Sequence, residues 1–128
     1  MSENVIEKKS YAFALETVRV YKGLINKENV LSKQLLRSGT SIGANVMEGL
    51  RAQSRKDFIS KMNIALKEAN ETEYWIKLLM DSNYLEREKY QTYFNSSSEI
   101  CRILNSIVKT SKENLYGTVE EIMQEYII

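Results

Sequence analysis

The sequence contains no proline and no histidine, and it holds one cysteine and five glycines. At average usage a chain of this size would carry roughly six prolines, so their absence leaves long helices unobstructed. Without histidine the chain lacks the usual general base, the commonest metal ligand and the side chain that ordinarily changes charge near neutral pH. Most familiar catalytic constellations are thereby excluded, and neither a cofactor nor a metal is expected. Cys101, being alone, cannot form an internal disulfide. The first nine residues hold no apolar run of signal-peptide length, and composition suggests no membrane span. A reducing, cytoplasmic setting fits these features, with no membrane partner and no small-molecule substrate.

What is present is ordinary for a folded chain: 43% hydrophobic and 27% charged residues over 128 positions. That length argues for one domain with a core of its own. The net charge is +1, but residues 1–67 carry twelve Lys/Arg against six Asp/Glu, and residues 68–128 carry six against eleven. Such asymmetry marks either an anion-binding face or two halves that neutralise each other within a bundle or between copies.

Apolar residues recur at steps of three and four, with no sustained alternation of the kind a half-buried strand needs. The first helical segment is read with Tyr11, Ala14, Val18, Tyr21 and Ile25 on its inner face, capped by Asn4 or Ser10, with Gly23 near its end. The second carries Leu31, Leu35, Ser38, Ile42, Asn45 and Gly49. The third opens on Ser54-Arg55-Lys56-Asp57, close to a capping box, and continues through Phe58, Met62, Ala65, Ala69, Thr72, Ile76 and Leu79 to a stop at Ser82-Asn83. The fourth carries Tyr90, Phe94, Ser97, Cys101, Leu104, Val108 and Ser111. Breaks of a few residues between long helices imply antiparallel neighbours. The expected fold is therefore all-α: an antiparallel up-down four-helix bundle over 1–112, followed by a C-terminal extension over 113–128.

Two helices carry more apolar surface than one bundle stripe requires. On the second, Leu36, Gly43, Met47 and Leu50 fall about 100° to 160° from the seam; on the third, Ile64, Trp75 and Leu78 lie well away from it. These seven residues are the expected interface between copies, because contiguous apolar surface on a small protein usually marks a contact site. The small residues of Ser38–Asn45 do not make a phosphate loop, since no strand precedes them and no Gly-Lys-Ser/Thr follows. Close helix approach is the expectation instead.

Several polar residues are candidates for function. Lys33, Arg37 and Arg51 lie opposite the second seam, and with Arg55, Lys56 and Lys61 they form a candidate phosphate-contacting face. The alternative is a solvated or ion-paired face. Glu68 and Glu71 share a side of the third helix with Ile64 and Trp75, where a carboxylate needs a partner. Arg37 is the obvious one, and Arg37, Asn45, Glu48, Glu68 and Glu71 are expected to form structural polar networks. Asn45 is read as a register-setting residue within the seam. Cys101 is read as a buried, inert thiol.

The run Gln34–Gly49 (QLLRSGTSIGANVMEG), followed by Ser54-Arg55-Lys56-Asp57-Phe58 and by Ile64–Thr72, resembles a bacterial four-helix-bundle family. That family includes proteins encoded in intervening sequences of 23S ribosomal RNA genes and the accessory variability protein of diversity-generating retroelements. The resemblance spans about residues 4 to 112. It implies an antiparallel bundle assembled as a ring-shaped homopentamer, with no enzymatic activity. For the retroelement member it implies binding to a reverse transcriptase and to RNA or DNA through a strongly basic surface. The pI of about 7.7 departs from that pattern, where a basic footprint would exceed about 9. Two functions follow: a non-enzymatic, self-assembling accessory or scaffold protein, or a nucleic-acid-binding protein that uses the Lys33–Lys61 cations.

Overall fold

A computed structural model describes residues 4–113, which form four helices: α1 (Val5–Leu24), α2 (Leu31–Leu50), α3 (Arg55–Asp81) and α4 (Arg87–Glu113). There is no β-strand among the described residues. The expected extension at 113–128 lies outside them, apart from Glu113 at the end of α4.

Local chemistry sets the boundaries. Asn4 caps α1 by accepting the Glu7 amide at 3.0 Å, so of the two expected caps Asn4 is the one used. Ser54 caps α3 by accepting the Asp57 amide at 3.1 Å, as the capping-box spacing predicts. Val30, at the start of α2, has no capping side chain. Glu28 does that work from two residues upstream, accepting the Ser32 amide at 2.8 Å and the Val30 amide at 3.1 Å. Burial opposes charge on Glu28, but the amides of Leu31, Ser32 and Val30 outweigh it and hold the carboxyl below its ordinary value. α3 ends where Asn83 takes a left-handed conformation, φ 67°, usually filled by glycine, and the following Leu85 tucks into the core.

Cross-helix pairs give the topology. Gly39 lies against Thr17 and Gly43 against Ser10; Arg37 meets Glu68, and Glu48 meets Lys61; Lys9 meets Glu99, and Thr17 meets Tyr93. In each set, numbers rise on one helix as they fall on its neighbour, so α1–α2, α2–α3 and α1–α4 are antiparallel. With α3 also packed on α4, the four form a closed square.

The α3 seam is buried at all seven expected positions, Phe58 through Leu79. In α2, Leu35, Ser38, Ile42 and Gly49 are buried as expected, but Val46 takes the place given to Asn45, and Leu31 is only half-buried. Asn45 sits beside the seam, its Nδ2 donating to the Ser41 carbonyl of its own helix at 2.9 Å. In α4, Ser97, Leu104, Val108 and Ser111 are buried; Tyr93, Ile100 and Ile107 join them, while Tyr90, Phe94 and Cys101 are half-buried.

The inner face of α1 differs from expectation altogether. It is Ile6, Ser10, Phe13, Thr17, Val20 and Leu24, whereas Tyr11 is 66% exposed. The reason is hydroxyl chemistry. Ser10 donates to the Glu7 carbonyl at 3.2 Å and Thr17 to the Phe13 carbonyl at 2.9 Å, so both enter the core with their polarity satisfied. A hydroxyl bonded to its own helix buries at little cost, and two such residues disguise an inner stripe.

Candidate interaction surface

The α1 stripe of Tyr11 and Ala14, expected in the core, instead lies beside the second stripe of α2. Glu7, Tyr11 and Ala14 of α1 and Thr40, Gly43, Ala44 and Met47 of α2 line a shallow groove of about 470 Å³. Its depth comes from close helix approach: a Cβ on Gly43 would stand 3.3 Å from the Ser10 carbonyl oxygen, and one on Gly39 only 2.7 Å from the Thr17 methyl group. Polarity in the groove is slight. Thr40 spends its hydroxyl on the Leu36 carbonyl at 2.7 Å, leaving Glu7 as the charged lining group, with the Tyr11 phenol beside it. Tyr11, Leu15 and Met47 remain exposed along α1 and α2.

The seven expected interface residues divide. Met47 and Ile64 are exposed, at 43% and 39%. Leu50 and Trp75 are half-buried and pack against the core of their own protomer, and Leu36, Gly43 and Leu78 are also half-buried. Tyr11 and Leu15, which belong to the same exposed surface, were missed because the α1 stripe had been turned inward. The signal was available: 6-10-13-17-20-24 repeats at four and three, as the other seams do.

On the far side of α2 lies the polar network. Arg37 pairs with Glu68 at 3.1 Å and with Glu71, and its Nε donates to Gln34 at 3.2 Å. Trp75 Nε1 donates to Glu71 Oε1 at 3.1 Å. Glu48 forms a separate α2–α3 pair with Lys61 at 3.4 Å. Arg37, Glu68 and Glu71 therefore converge as expected; Glu48 stands apart, and Asn45 bonds within α2.

A family model for the 23S rRNA-intervening sequence protein matches residues 2–106. The chain belongs to that family. Nothing among curated proteins matches it. A solved structure, described as a protein with unknown function from the S23 ribosomal protein family of Bacteroides thetaiotaomicron, is similar at 57% identity with a TM-score of 0.80. The match covers 83% of this chain and 100% of that one. The resemblance read from the Gln34–Gly49 run is thus upheld, as is the helical fold.

For a member of the 23S rRNA-intervening sequence family, the candidate cations call for separate placement. Arg37 and Lys61 are committed to carboxylates. Lys33, Arg51 and Lys56 are exposed and Arg55 is half-buried. Lys33 and Arg51 sit near opposite ends of α2, about 27 Å apart at 1.5 Å per residue. The six do not form one compact patch.

Two further features bear on chemistry. A cleft of about 580 Å³ opens between α1 and α4 beside the stacked rings of Phe13 and Tyr93, 4.8 Å apart, with the Lys9–Glu99 pair at its edge. Burial, assisted by the nearby Glu73 charge, pushes the half-buried Cys101 thiol up to about 11, which keeps it protonated at neutral pH. No helix among the described residues is long and apolar enough to cross a membrane.

Proposed function

We propose that this protein is a non-enzymatic accessory or scaffold that works as an assembly of identical copies, with five as the number its family resemblance implies. The observation that carries the reading is the α1–α2 groove. Tyr11, Leu15 and Met47 stand exposed beside a furrow whose only charged wall is Glu7. Surface of this kind is stable in water when another protein face covers it. The reading of no catalysis draws support from the lack of histidine, the usual general base, and from a Cys101 thiol that burial keeps protonated.

Light scattering and sedimentation velocity on the full chain test the proposal. A closed species of several subunits is expected at micromolar concentration, and Met47→Glu should dissociate it. A single 14.9 kDa particle throughout would overturn it.

Nucleic-acid binding is the second reading, and exposed Lys33, Arg51 and Lys56 favour it. Its mark is affinity for RNA that falls steeply between about 50 and 200 mM salt. Absence of binding at low salt removes it. The pairing of Arg37 and Lys61 weakens the case for this reading and leaves assembly as the stronger one.

A further inference from the structure

We propose that the cleft between α1 and α4 binds a small aromatic anion, with Lys89, Thr92 and Ser96 holding the charged group and the buried rings of the floor meeting the aromatic part. The site is separate from the α1–α2 groove, and the proposal stands whether or not copies assemble.

Size comes first. The cleft holds about 580 Å³, within the roughly 300–1,000 Å³ of small-ligand pockets. It runs from Lys9 to Glu16 along α1, a wall about 10 Å long, and from Lys89 to Ile100 along α4. The space exists because α1 and α4 are the least closely packed of the neighbouring helix pairs, and because Ala12, midway along the α1 wall, has little side chain to fill it.

The α4 wall supplies donors. Lys89, Thr92 and Ser96 stand at i, i+3 and i+7, a spacing that aligns side chains on one face of a helix. Among the described residues, neither the Thr92 nor the Ser96 hydroxyl has a hydrogen-bonding partner, although Ser96 is half-buried. Ser10 and Thr17 on α1 both bond back to their own helix, so the two open hydroxyls on α4 are a contrast within one seam.

Charge balance gives the sign of the ligand. Lys9 and Glu99 neutralise each other at 3.0 Å. Glu16 is engaged at 2.9 Å by Arg19, which stands outside the lining. Lys89 pairs with no carboxylate among the described residues; its ammonium lies 5.5 Å from the centre of the Tyr90 ring, which orients the charge without neutralising it. The uncompensated charge is therefore positive, and an ammonium beside two hydroxyls suits a carboxylate or a phosphate.

The floor sets the rest. Phe13 and Tyr93 stack 4.8 Å apart at an angle of 3°, beside Ile100. Both rings are buried, so they offer edges and not faces to the cleft, and a ring edge pairs best with the face of another ring. The Tyr93 hydroxyl is spent on Thr17 at 2.7 Å and adds no polar contact. A flat ring carrying an anionic group meets both surfaces at once. Aryl carboxylates and nucleoside monophosphates share that chemistry.

Isothermal titration of the full chain with naphthoate and with adenosine monophosphate tests the site and separates the two sources. At least one is expected to bind, one to each chain, with Kd below about 1 mM. Its uncharged counterpart, naphthalenemethanol or adenosine, should bind at least about tenfold more weakly. Lys89→Ala, which removes the charge, and Ala12→Leu, which fills the space, alter exposed positions and leave the core intact. Each should weaken binding at least about tenfold, whereas Met47→Ala in the other groove should not change it. Amide resonances of Ser96 and Ile100 should shift on saturation. Failure of both probes to bind overturns the proposal. So does binding that is unchanged in Lys89→Ala or in Ala12→Leu, binding matched by the uncharged counterpart, or binding lost in Met47→Ala.

Discussion

Arg37 of α2 and Glu71 of α3 are joined through a carboxylate oxygen that is already in use: the Oε1 atom that accepts the guanidinium also accepts the Trp75 indole N–H. With Glu68 held by the other arm of Arg37, this cluster fastens the outer edge of the α2–α3 seam. Arg37 is 47% exposed and Glu68 15%, so the pair is worth a surface network and not a buried one.

Replacing Arg37 by Leu is accordingly expected to cost about 1 kcal/mol of stability and to loosen the assembly. Because Trp75 is the only tryptophan, its fluorescence reports the cluster directly. Glu71→Ala should shift the Trp75 emission maximum as the indole loses its acceptor, while Glu48→Ala should leave it in place. Denaturant titration and emission spectra check both. An Arg37→Leu protein with unchanged melting temperature and oligomer mass would contradict the role given to the cluster.

The glycines of α1 and α2 should respond in opposite directions. At Gly39 a methyl group would lie 2.7 and 2.8 Å from Thr17 Cγ2 and Oγ1. Thr17 cannot easily turn away, because it donates to Phe13 and accepts from the Tyr93 hydroxyl at 2.7 Å. Gly39→Ala should therefore lose about 1–3 kcal/mol by overpacking, which outweighs a helix-propensity gain of up to about 1 kcal/mol. Gly23 has nothing within 4 Å, so Gly23→Ala should gain a few tenths to about 1 kcal/mol. Thermal melts of the two variants check the contrast.

Glu28 predicts a pH dependence. Its carboxyl is depressed below its ordinary value of 4.5 in the folded protein. It therefore stabilises the fold above that value, and the contribution is lost as pH falls through the lower folded-state value. Glu28→Gln should cost under about 1 kcal/mol at pH 7. Wild type and variant should converge in melting temperature under strongly acid conditions, and a pH series of melts reads this.

Cys101 should be slow to react. With its thiol pushed up to about 11, little thiolate exists at pH 8. Modification by a disulfide reagent is expected to be markedly slower in native protein than in urea-unfolded protein, where the thiol returns to its ordinary range. Equal rates would mean that the side chain is freely accessible.

Much of this architecture was legible along the chain. The absence of proline, the alternation of four and three through Phe58–Leu79, and the caps at Asn4 and Ser54 are local properties, and local properties determine where helices start, stop and turn a greasy side. The family resemblance in Gln34–Gly49 was equally local. The orientation of α1 was not, because Ser10 and Thr17 look polar on paper and count as core only once their hydroxyls bond backward and glycines 39 and 43 let α2 press against them. For the same reason one cation, Arg37, became part of a clasp on α3 while Lys33, a turn away on α2, stayed in solvent. Helix periodicity offers each residue a direction; which direction is inside, and which charge finds a partner, is settled only when a second helix arrives.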